Sequence, residues 1–197
     1  MDKKRCQWCG DDPQYVDYHD NQWGRPVTNG RELFAKLCLD GQQAGLSWLI
    51  ILRKTPRYYE VFEQFDPYKI AEFDEARVET LLQDAGIVRN RLKVNSIIKN
   101  AKAYIALEQQ GIDFTEYLWS FVGGEVINNR LSVGDEYPTR SAESDAMSKA
   151  LKKAGFSFVG TTICYAFMQA VGMVNDHLVS CPSYQPCVDD ATEAGLL

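Results

Sequence analysis

The sequence has no apolar run of about 18 residues, the minimum for a transmembrane helix. It also has no Walker or dinucleotide-binding glycine motif, no internal repeat and no stretch with the alternation of a half-buried strand. Its first residues, MDKKRCQW, lack the apolar segment of a secretory signal. These absences argue against a membrane protein, a P-loop enzyme and a β fold, and they predict a cytoplasmic helical protein.

The cysteine count and the net charge bear on two further classes, disulfide-stabilised proteins and nucleic-acid-binding proteins. Six cysteines in a chain of 197 residues without an export signal are expected to be reduced thiols or metal ligands rather than a disulfide framework. The net charge of −6 argues by itself against nucleic acid as a partner. Its distribution points the other way, because residues 85–107 contain no acid and five basic residues: Arg89, Arg91, Lys93, Lys99 and Lys102.

Apolar residues recur at helical spacing along most of the chain, which predicts an all-α fold of one domain, residues 1–197, with two lobes. The polar stretch LDGQQAGLSW interrupts this pattern and predicts helices at 31–40 and 46–54, separated by a break at Gly41 to Gly45. Pro56 is expected to open another helix through Phe65. Residues 123–140 are expected to form a loop, and the tail after Pro182 is expected to be frayed. The break would place five side chains around one concavity: Asp40, Gln42, Gln43, Leu46 and Trp48. A tight turn with a solvated Asp40 is the alternative.

The two histidines of the chain suggest a metal site. His177 and Cys181 are four residues apart, at the expected end of a buried helix that opens at Gly160 and ends near Val174, while Cys6 and His19 lie near the other end of the chain. Together they form a Cys2His2 set suited to one structural zinc. Inert buried side chains are the alternative, and Cys9 competes as a ligand because it has CxxC spacing with Cys6.

A second candidate site lies between the helices predicted at 74–83 and 90–110, the longer of which has Leu92 at core spacing. A short turn with Gly86 would place Arg89, Arg91 and Lys93 at the start of the long helix, where free N–H groups favour phosphate. Simple solvation of these basic side chains is the alternative.

Four aromatic side chains accompany Asp40, namely Trp8, Tyr15, Tyr18 and Trp48. Flat rings around one carboxylate suit a planar, electron-poor or cationic ring that stacks and donates hydrogen bonds from an amine. An ordinary aromatic core is the alternative.

With these residues in view, the chain resembles the DNA-3-methyladenine glycosylase I family, bacterial alkylation-repair enzymes of the helix-hairpin-helix superfamily. The resemblance covers essentially the whole length. Its motifs are RCxW (residues 5–8), YHDNQWG (18–24), GQQAGLSW (41–48), QFDP (64–67), QDAGI (83–87), WSFV (119–122), GFSFVGTTICY (155–165) and NDHLVSC (175–181).

The resemblance implies an enzyme that flips N3-methyladenine out of double-stranded DNA and hydrolyses its N-glycosidic bond, releasing the free base without lyase activity. It implies a monomer in the bacterial cytoplasm, associated with the nucleoid when it acts. It implies structural zinc on Cys6, His19, His177 and Cys181, which ties residues 1–30 to residues 160–187, and a DNA-contacting hairpin at about 74–110. The base pocket would comprise Trp8, Tyr15, Tyr18, Asp40 and Trp48, and the DNA contacts would comprise Gln43, Leu46, Gly86, Arg89, Arg91 and Lys93.

One departure concerns Asp40, where the family usually carries glutamate. The shorter acid is expected to weaken the direct hydrogen bond to the base without changing the reaction. Because Glu108 is the only carboxylate in residues 92–112, catalysis is expected to rest on Asp40, Tyr18 and Trp48, on the instability of the lesion and on the electric field of the DNA phosphates. Two other functions remain as alternatives: a lesion-recognition DNA-binding protein with weakened or lost catalysis, and a zinc-stabilised module for a protein or a free nucleobase.

Overall fold

The computed structural model describes residues 5–197, so residues 1–4 of the predicted N-terminal lobe lie outside the described residues. The described part is mostly helical, as predicted. Its α-helices are α1 (Pro13–Asn21), α2 (Gly30–Gln43), α3 (Trp48–Val61), α4 (Pro67–Ala71), α5 (Glu75–Leu82), α6 (Arg91–Gln109), α7 (Phe114–Trp119), α8 (Ala142–Lys153), α9 (Thr161–Ala170) and α10 (Tyr184–Glu193). Single 3-10 turns occur at Gln7–Cys9, Glu63–Phe65 and Ser120–Val122.

Two short strands, which the sequence did not predict, join distant parts of the chain. Strand β1 (Ile127–Asn128) pairs in parallel with β2 (Val174–Asn175), with Ile127 opposite Val174. Two residues are too few to produce a readable alternation of polar and apolar side chains.

Side-chain caps fix where many of the helices begin. A carboxylate, amide or hydroxyl oxygen accepts a hydrogen bond from a backbone N–H of the first turn, which has no partner within the helix. These caps are Asp12 for α1, Asn29 for α2, Asp66 for α4, Asp74 for α5, Asn90 for α6, Asp113 for α7 and Ser141 for α8.

Helix α2 is longer than predicted, because it continues through Gly41 to Gln43, and the break covers residues 44–47. A Cβ atom at Gly41 would lie 3.1 Å from the Phe158 Cβ and 3.2 Å from the Phe158 carbonyl oxygen. Gly41 therefore serves the close approach of α2 to the segment before α9. Gly45, with φ of +77°, provides the left-handed conformation at the break itself.

Helix α3 also departs from the prediction, since Pro56 lies inside it and the helix ends at Val61. Proline has no N–H for the Leu52 carbonyl oxygen four residues earlier. Gln14 Nε2 of α1 donates a hydrogen bond to that oxygen, at 3.4 Å. This tertiary contact offsets part of the loss.

The C-terminal region differs in two further respects. Helix α9 ends at Ala170, so His177 and Cys181 lie in an irregular segment after β2 rather than at a helix end. The tail after Pro182 is not frayed, because it forms α10 and buries Cys187 and Ala191.

The main hydrophobic core is formed largely by residues from α2 to α9, together with Val27, Val174 and Ala191. Two smaller clusters lie beside it. One contains Cys6, Leu131, Leu178 and Cys181, and the other contains Tyr18, Trp23, Leu52 and Ala170. Within residues 5–197, none of the helices has both the length and the apolar character needed to cross a membrane.

Candidate active site and metal centre

A cavity of about 330 Å³ lies where α1, the end of α2 and the start of α3 meet. Tyr15 and Tyr18 are three residues apart on α1, and Asp40 and Gln43 are three apart on α2, so each pair shares one face of its helix. Trp48 is the first residue of α3. The lining residues are Trp8, Tyr15, Tyr18, Trp23, Asp40, Gln43, Trp48, Tyr137, Pro138, Thr139, Ala166 and Gln169.

The four predicted rings form a continuous aromatic wall. The ring centroids of Trp8 and Tyr15 are 5.2 Å apart, those of Tyr15 and Tyr18 are 6.4 Å apart, and those of Tyr18 and Trp48 are 5.4 Å apart. Tyr18 is buried, and burial together with the nearby Asp40 raises the pKa of its hydroxyl well above its ordinary value. Tyr18 is therefore a neutral wall of the cavity.

Asp40 is the acidic group of this cavity and is only 5% exposed. Burial raises the pKa of its carboxyl from an ordinary 3.8 to about 8, against the opposing effect of Lys36. Its Oδ2 atom has no hydrogen-bond partner within residues 5–197. The same holds for three other buried polar atoms of the lining, Trp8 Nε1, Trp48 Nε1 and the Tyr137 hydroxyl. Because such atoms are rare in folded proteins, four around one cavity indicate a ligand that supplies their partners.

The lining includes residues that sequence reasoning did not assign. Tyr137 to Thr139 come from the segment predicted only as a loop, and Gln169 comes from α9. The Gln169 amide donates a hydrogen bond of 2.7 Å to the buried Asp176. In the sequence, the polar amide of Gln169 in an otherwise apolar helix could have indicated that this residue lines a site. No local pattern indicates that the loop with residues 137–139 covers the cavity.

Two predicted members of the concavity are absent from its lining. Gln42 is fully buried on another face of α2, where its amide donates to the Lys93 carbonyl oxygen at 3.0 Å. Leu46 packs partly against the main core. The Leu46 carbonyl oxygen accepts a hydrogen bond of 2.6 Å from Gln43 Nε2, so Leu46 lies next to the rim.

The four predicted metal ligands meet in one buried cluster. The ligand atoms of Cys6, His19, His177 and Cys181 all lie within 4.8 Å of one another. Cys6 Sγ is 3.6 Å from His177 Nδ1, and Cys181 Sγ is 3.6 Å from His19 Nε2 and 3.7 Å from His177 Nδ1. The cluster could therefore hold a metal ion.

Hydrogen bonds orient both imidazoles of this cluster. His19 Nδ1 donates to the Asp20 carboxylate at 2.8 Å, and His177 Nε2 donates to the Trp23 carbonyl oxygen at 3.0 Å. The nitrogen that remains on each ring faces the thiols, as the outer contacts of a metal-binding histidine require. Cys9 lies outside the cluster, because its thiol donates to the Cys6 carbonyl oxygen at 3.2 Å.

The segment predicted as the hairpin forms α5, a turn and α6, and the turn contacts α3. The Gly86 N–H donates to the Asp84 carboxylate at 2.7 Å, and Arg57 of α3 pairs with that carboxylate at 2.8 Å. Arg89 is exposed and forms no ion pair within residues 5–197. Arg91 pairs with Glu75 and Glu79 of α5.

Lys93 does not occupy the predicted position on the surface of this hairpin. It is 7% exposed, and its ammonium donates to the Gln42 and Ala44 carbonyl oxygens at 2.7 and 2.6 Å. The neighbouring Leu92, predicted to be in the core, is instead 73% exposed. The face of α6 that meets α2 therefore carries the lysine.

A ring-lined cavity with a buried acid, beside a hairpin with an exposed arginine, is an arrangement suited to a DNA glycosylase, a hydrolase that cleaves a base from its sugar. Comparison with known proteins agrees with that class. The chain belongs to the methyladenine glycosylase family, whose model matches residues 8–184. It is 53% identical over 181 residues to DNA-3-methyladenine glycosylase 1 of Escherichia coli (strain K12), with 92% of this chain and 97% of that protein covered.

Solved structures give the same result. A crystal structure of 3-methyladenine DNA glycosylase I matches with a TM-score of 0.90 and 52% identity, covering 92% of this chain and all of that one. The enzyme from Staphylococcus aureus, solved to show how it recognises 3-methyladenine, matches with a TM-score of 0.88 and 36% identity, covering 91% of this chain and 95% of that one.

Proposed function

We propose that this protein extrudes N3-methyladenine from double-stranded DNA and hydrolyses the bond between the base and its sugar. The observation that carries the proposal is the cavity, in which an aromatic wall surrounds an unpartnered buried carboxylate and two unpartnered indole N–H groups. A methylated purine offers a flat surface on which the aromatic rings can stack. Its amine can donate a hydrogen bond to the carboxylate, and its ring nitrogens can accept hydrogen bonds from the indole N–H groups.

The chemistry follows from the charge of the lesion. Adenine methylated at N3 is cationic while attached to the sugar, so the electron pair of the breaking C1′–N9 bond neutralises the ring as it leaves. The oxygen of water forms the new bond to C1′, and its proton is released to solvent. Asp40, Tyr18 and Trp48 hold the departing ring, and the negative charge of Asp40 stabilises the positive charge that develops on the sugar as the bond breaks. The products are the free base and an abasic site.

Strand cleavage by a lysine is not part of the proposal. A Schiff base requires an uncharged, accessible amine, whereas the Lys93 ammonium is held by two carbonyl oxygens. Among residues 5–197, the lining of the cavity contains no lysine, and Lys93 lies outside it.

The segment α5–turn–α6 is proposed to act as a helix-hairpin-helix contact with the DNA backbone. Free backbone N–H groups at the start of α6 and the exposed Arg89 suit a phosphate. Arg91 would have to exchange its pairing with Glu75 and Glu79 for a phosphate. Gln43, on the cavity rim, and Leu46, next to it, are proposed to lie near the gap that the extruded nucleotide leaves.

Structural zinc is the metal that we propose for the Cys2His2 cluster. Tetrahedral zinc with Zn–S bonds of about 2.3 Å and Zn–N bonds of about 2.0–2.1 Å requires S···N separations of about 3.6 Å. Three of the four thiol–imidazole separations are 3.6 to 3.7 Å and fit that requirement, and all four ligand atoms lie within 4.8 Å of one another. The ion would tie the segment before α2 to the segment after β2 and contribute to folding.

We further propose one two-lobed domain that works as a monomer in the bacterial cytoplasm, at the nucleoid when it acts. The cavity would lie between a lobe with the zinc cluster and a lobe with the hairpin.

Chromatography of bases released from methylated duplex DNA tests the proposed function. The expected product is free 3-methyladenine, with no strand cleavage before the abasic site is treated with alkali. Tight binding to methylated DNA without base release would select a lesion-recognition protein instead. Binding to neither DNA nor the free base would overturn both.

A further inference from the structure

A buried hydrogen-bond network connects the hairpin to the carboxyl end of α2. From the hairpin side, the Lys93 ammonium donates to the Gln42 and Ala44 carbonyl oxygens at 2.7 and 2.6 Å. From the other side, Gln42 Nε2 donates to the Lys93 carbonyl oxygen at 3.0 Å. Each of the two elements therefore donates side-chain hydrogen bonds to the backbone of the other.

Tyr58 of α3 adds a second connection. The Val88 N–H in the hairpin turn donates to the Tyr58 hydroxyl at 3.0 Å, and that hydroxyl donates to Gln42 Oε1 at 3.1 Å. Tyr58 and Gln42 are fully buried. A buried and fully satisfied polar network of this kind fixes relative positions more strictly than apolar packing does.

The network ends on the backbone that forms one rim of the cavity. Gln43, which lines the cavity, lies between the two residues whose carbonyls Lys93 holds. Those carbonyls belong to the last turn of α2 and the residue after it, where helix geometry provides no partner for them. After three more residues the chain reaches Trp48. Lys93 itself does not line the cavity.

We propose that Lys93, through Gln42 and Tyr58, is a positioning residue that makes the geometry of the cavity rim at residues 43–47 depend on the placement of the hairpin. The inference rests on the proposed function, since the hairpin is taken to meet the DNA backbone. It assigns Lys93 to coupling the two surfaces, and neither to phosphate binding nor to nucleophilic chemistry.

The test compares Lys93→Met, which removes the ammonium and retains most of the apolar stem, with Lys99→Met. Lys99 is an exposed lysine on the same helix, so the two variants lose equal charge. Four quantities are measured: affinity for free 3-methyladenine, single-turnover base release at saturating enzyme, the salt dependence of duplex affinity and the melting temperature. A fifth is the fluorescence of 2-aminopurine placed opposite an abasic-site analogue in the bound duplex.

For Lys93→Met we expect free-base affinity within about threefold of wild type and the wild-type salt dependence. We expect base release at least tenfold slower, with a smaller change in 2-aminopurine fluorescence. Lys99→Met should match wild type in base release and fluorescence. Suppose that the salt dependence of duplex affinity falls by about one unit of slope, while base release at saturating enzyme keeps its wild-type rate. Lys93 would then be a phosphate ligand, and the proposal would be overturned. Parallel losses of free-base affinity, base release and melting temperature would also overturn it, in favour of a purely structural role.

Tyr58→Phe provides an independent variant if Lys93→Met does not fold. It removes the hydroxyl that joins Val88 to Gln42 and leaves the ring in the core, so the same pattern is expected with a smaller reduction in rate. Wild-type rates in this variant would refute the coupling. If the wild-type protein binds the free base but releases none from methylated DNA, the proposed function fails, and that outcome is distinct from a failure of the coupling.

Discussion

Replacing Asp40 with asparagine should make the unliganded protein more stable than wild type, and the difference should grow as the pH rises from 5 to 8. Burial raises the pKa of this carboxyl from 3.8 to about 8. The folded chain therefore holds the proton more tightly than the unfolded chain does. The associated stability is fully present below pH 3.8 and is lost as the pH rises towards 8.

The size of the effect follows from the same two pKa values. Between them, each pH unit removes up to ~1.4 kcal/mol of wild-type stability, because only the unfolded state releases the proton. From pH 5 to pH 8 the loss reaches at most ~4 kcal/mol, and above pH 8 it levels off as the folded state ionises as well. Asparagine has no proton to release and escapes this loss.

Urea unfolding of both proteins at pH 5, 6, 7, 8 and 9 measures the difference. All other side chains are the same in the two proteins, so their contributions cancel in the comparison. Asp189→Asn serves as the control, because Asp189 is an exposed carboxylate on α10. If the stability difference between Asp40→Asn and wild type stays constant over this pH range, the description of Asp40 as a buried, unpartnered carboxylate with a raised pKa is refuted.

Four further outcomes follow from the geometry. Trp48→Ala should weaken binding of free 3-methyladenine by roughly 5- to 150-fold, the value of ~1–3 kcal/mol for one stacking ring, with titration calorimetry as the measurement. Chelation should lower the melting temperature of wild type, and a Cys181→Ser variant should start from the lower value and lose its stoichiometric zinc in elemental analysis. Gly86→Ala should lower the free energy of unfolding by ~1–3 kcal/mol, because the new Cβ would lie 2.5 Å from Arg57 Cγ. Adding Arg57→Ala to this variant should restore part of the lost stability. Asp40→Glu should bind the free base more tightly if the shorter acid limits contact, whereas equal affinity would contradict that account.

The sequence was informative where a local pattern determines a position in space. The aromatic residue types pointed to Tyr15 and Tyr18, and the polar insert between two apolar segments pointed to Asp40 and Gln43. All four line the cavity. The scarcity of histidine made the metal cluster predictable, although the helix expected to carry His177 ends earlier at Ala170. In that case, residue type identified the members of the buried cluster, whereas the predicted local structure was wrong.

The sequence was less informative where tertiary packing decides. A periodic pattern assigned Leu92 to the core and Lys93 to the surface, and the structure reverses both. The reason is that α6 meets the end of α2, whose free carbonyls hold an ammonium better than an apolar side chain does. Tyr137 was missed for a similar reason, because the path of a long loop depends on contacts that spacing does not reveal.

The electrostatics around α2 explain why such a site would prefer a damaged purine to a normal one. The carboxyl end of this helix carries partial negative charge, and Asp40 adds an acid one turn before it. The Lys93 ammonium on α6 neutralises part of the negative charge at the end of this helix. Within residues 5–197, however, no lysine or arginine lines the cavity itself. A cationic methylated purine supplies the missing positive charge and allows Asp40 to ionise in place, whereas neutral adenine has the same flat shape and supplies none. Discrimination would then come from a desolvated acid that only the lesion can neutralise, with the aromatic wall contributing the stacking that both bases share.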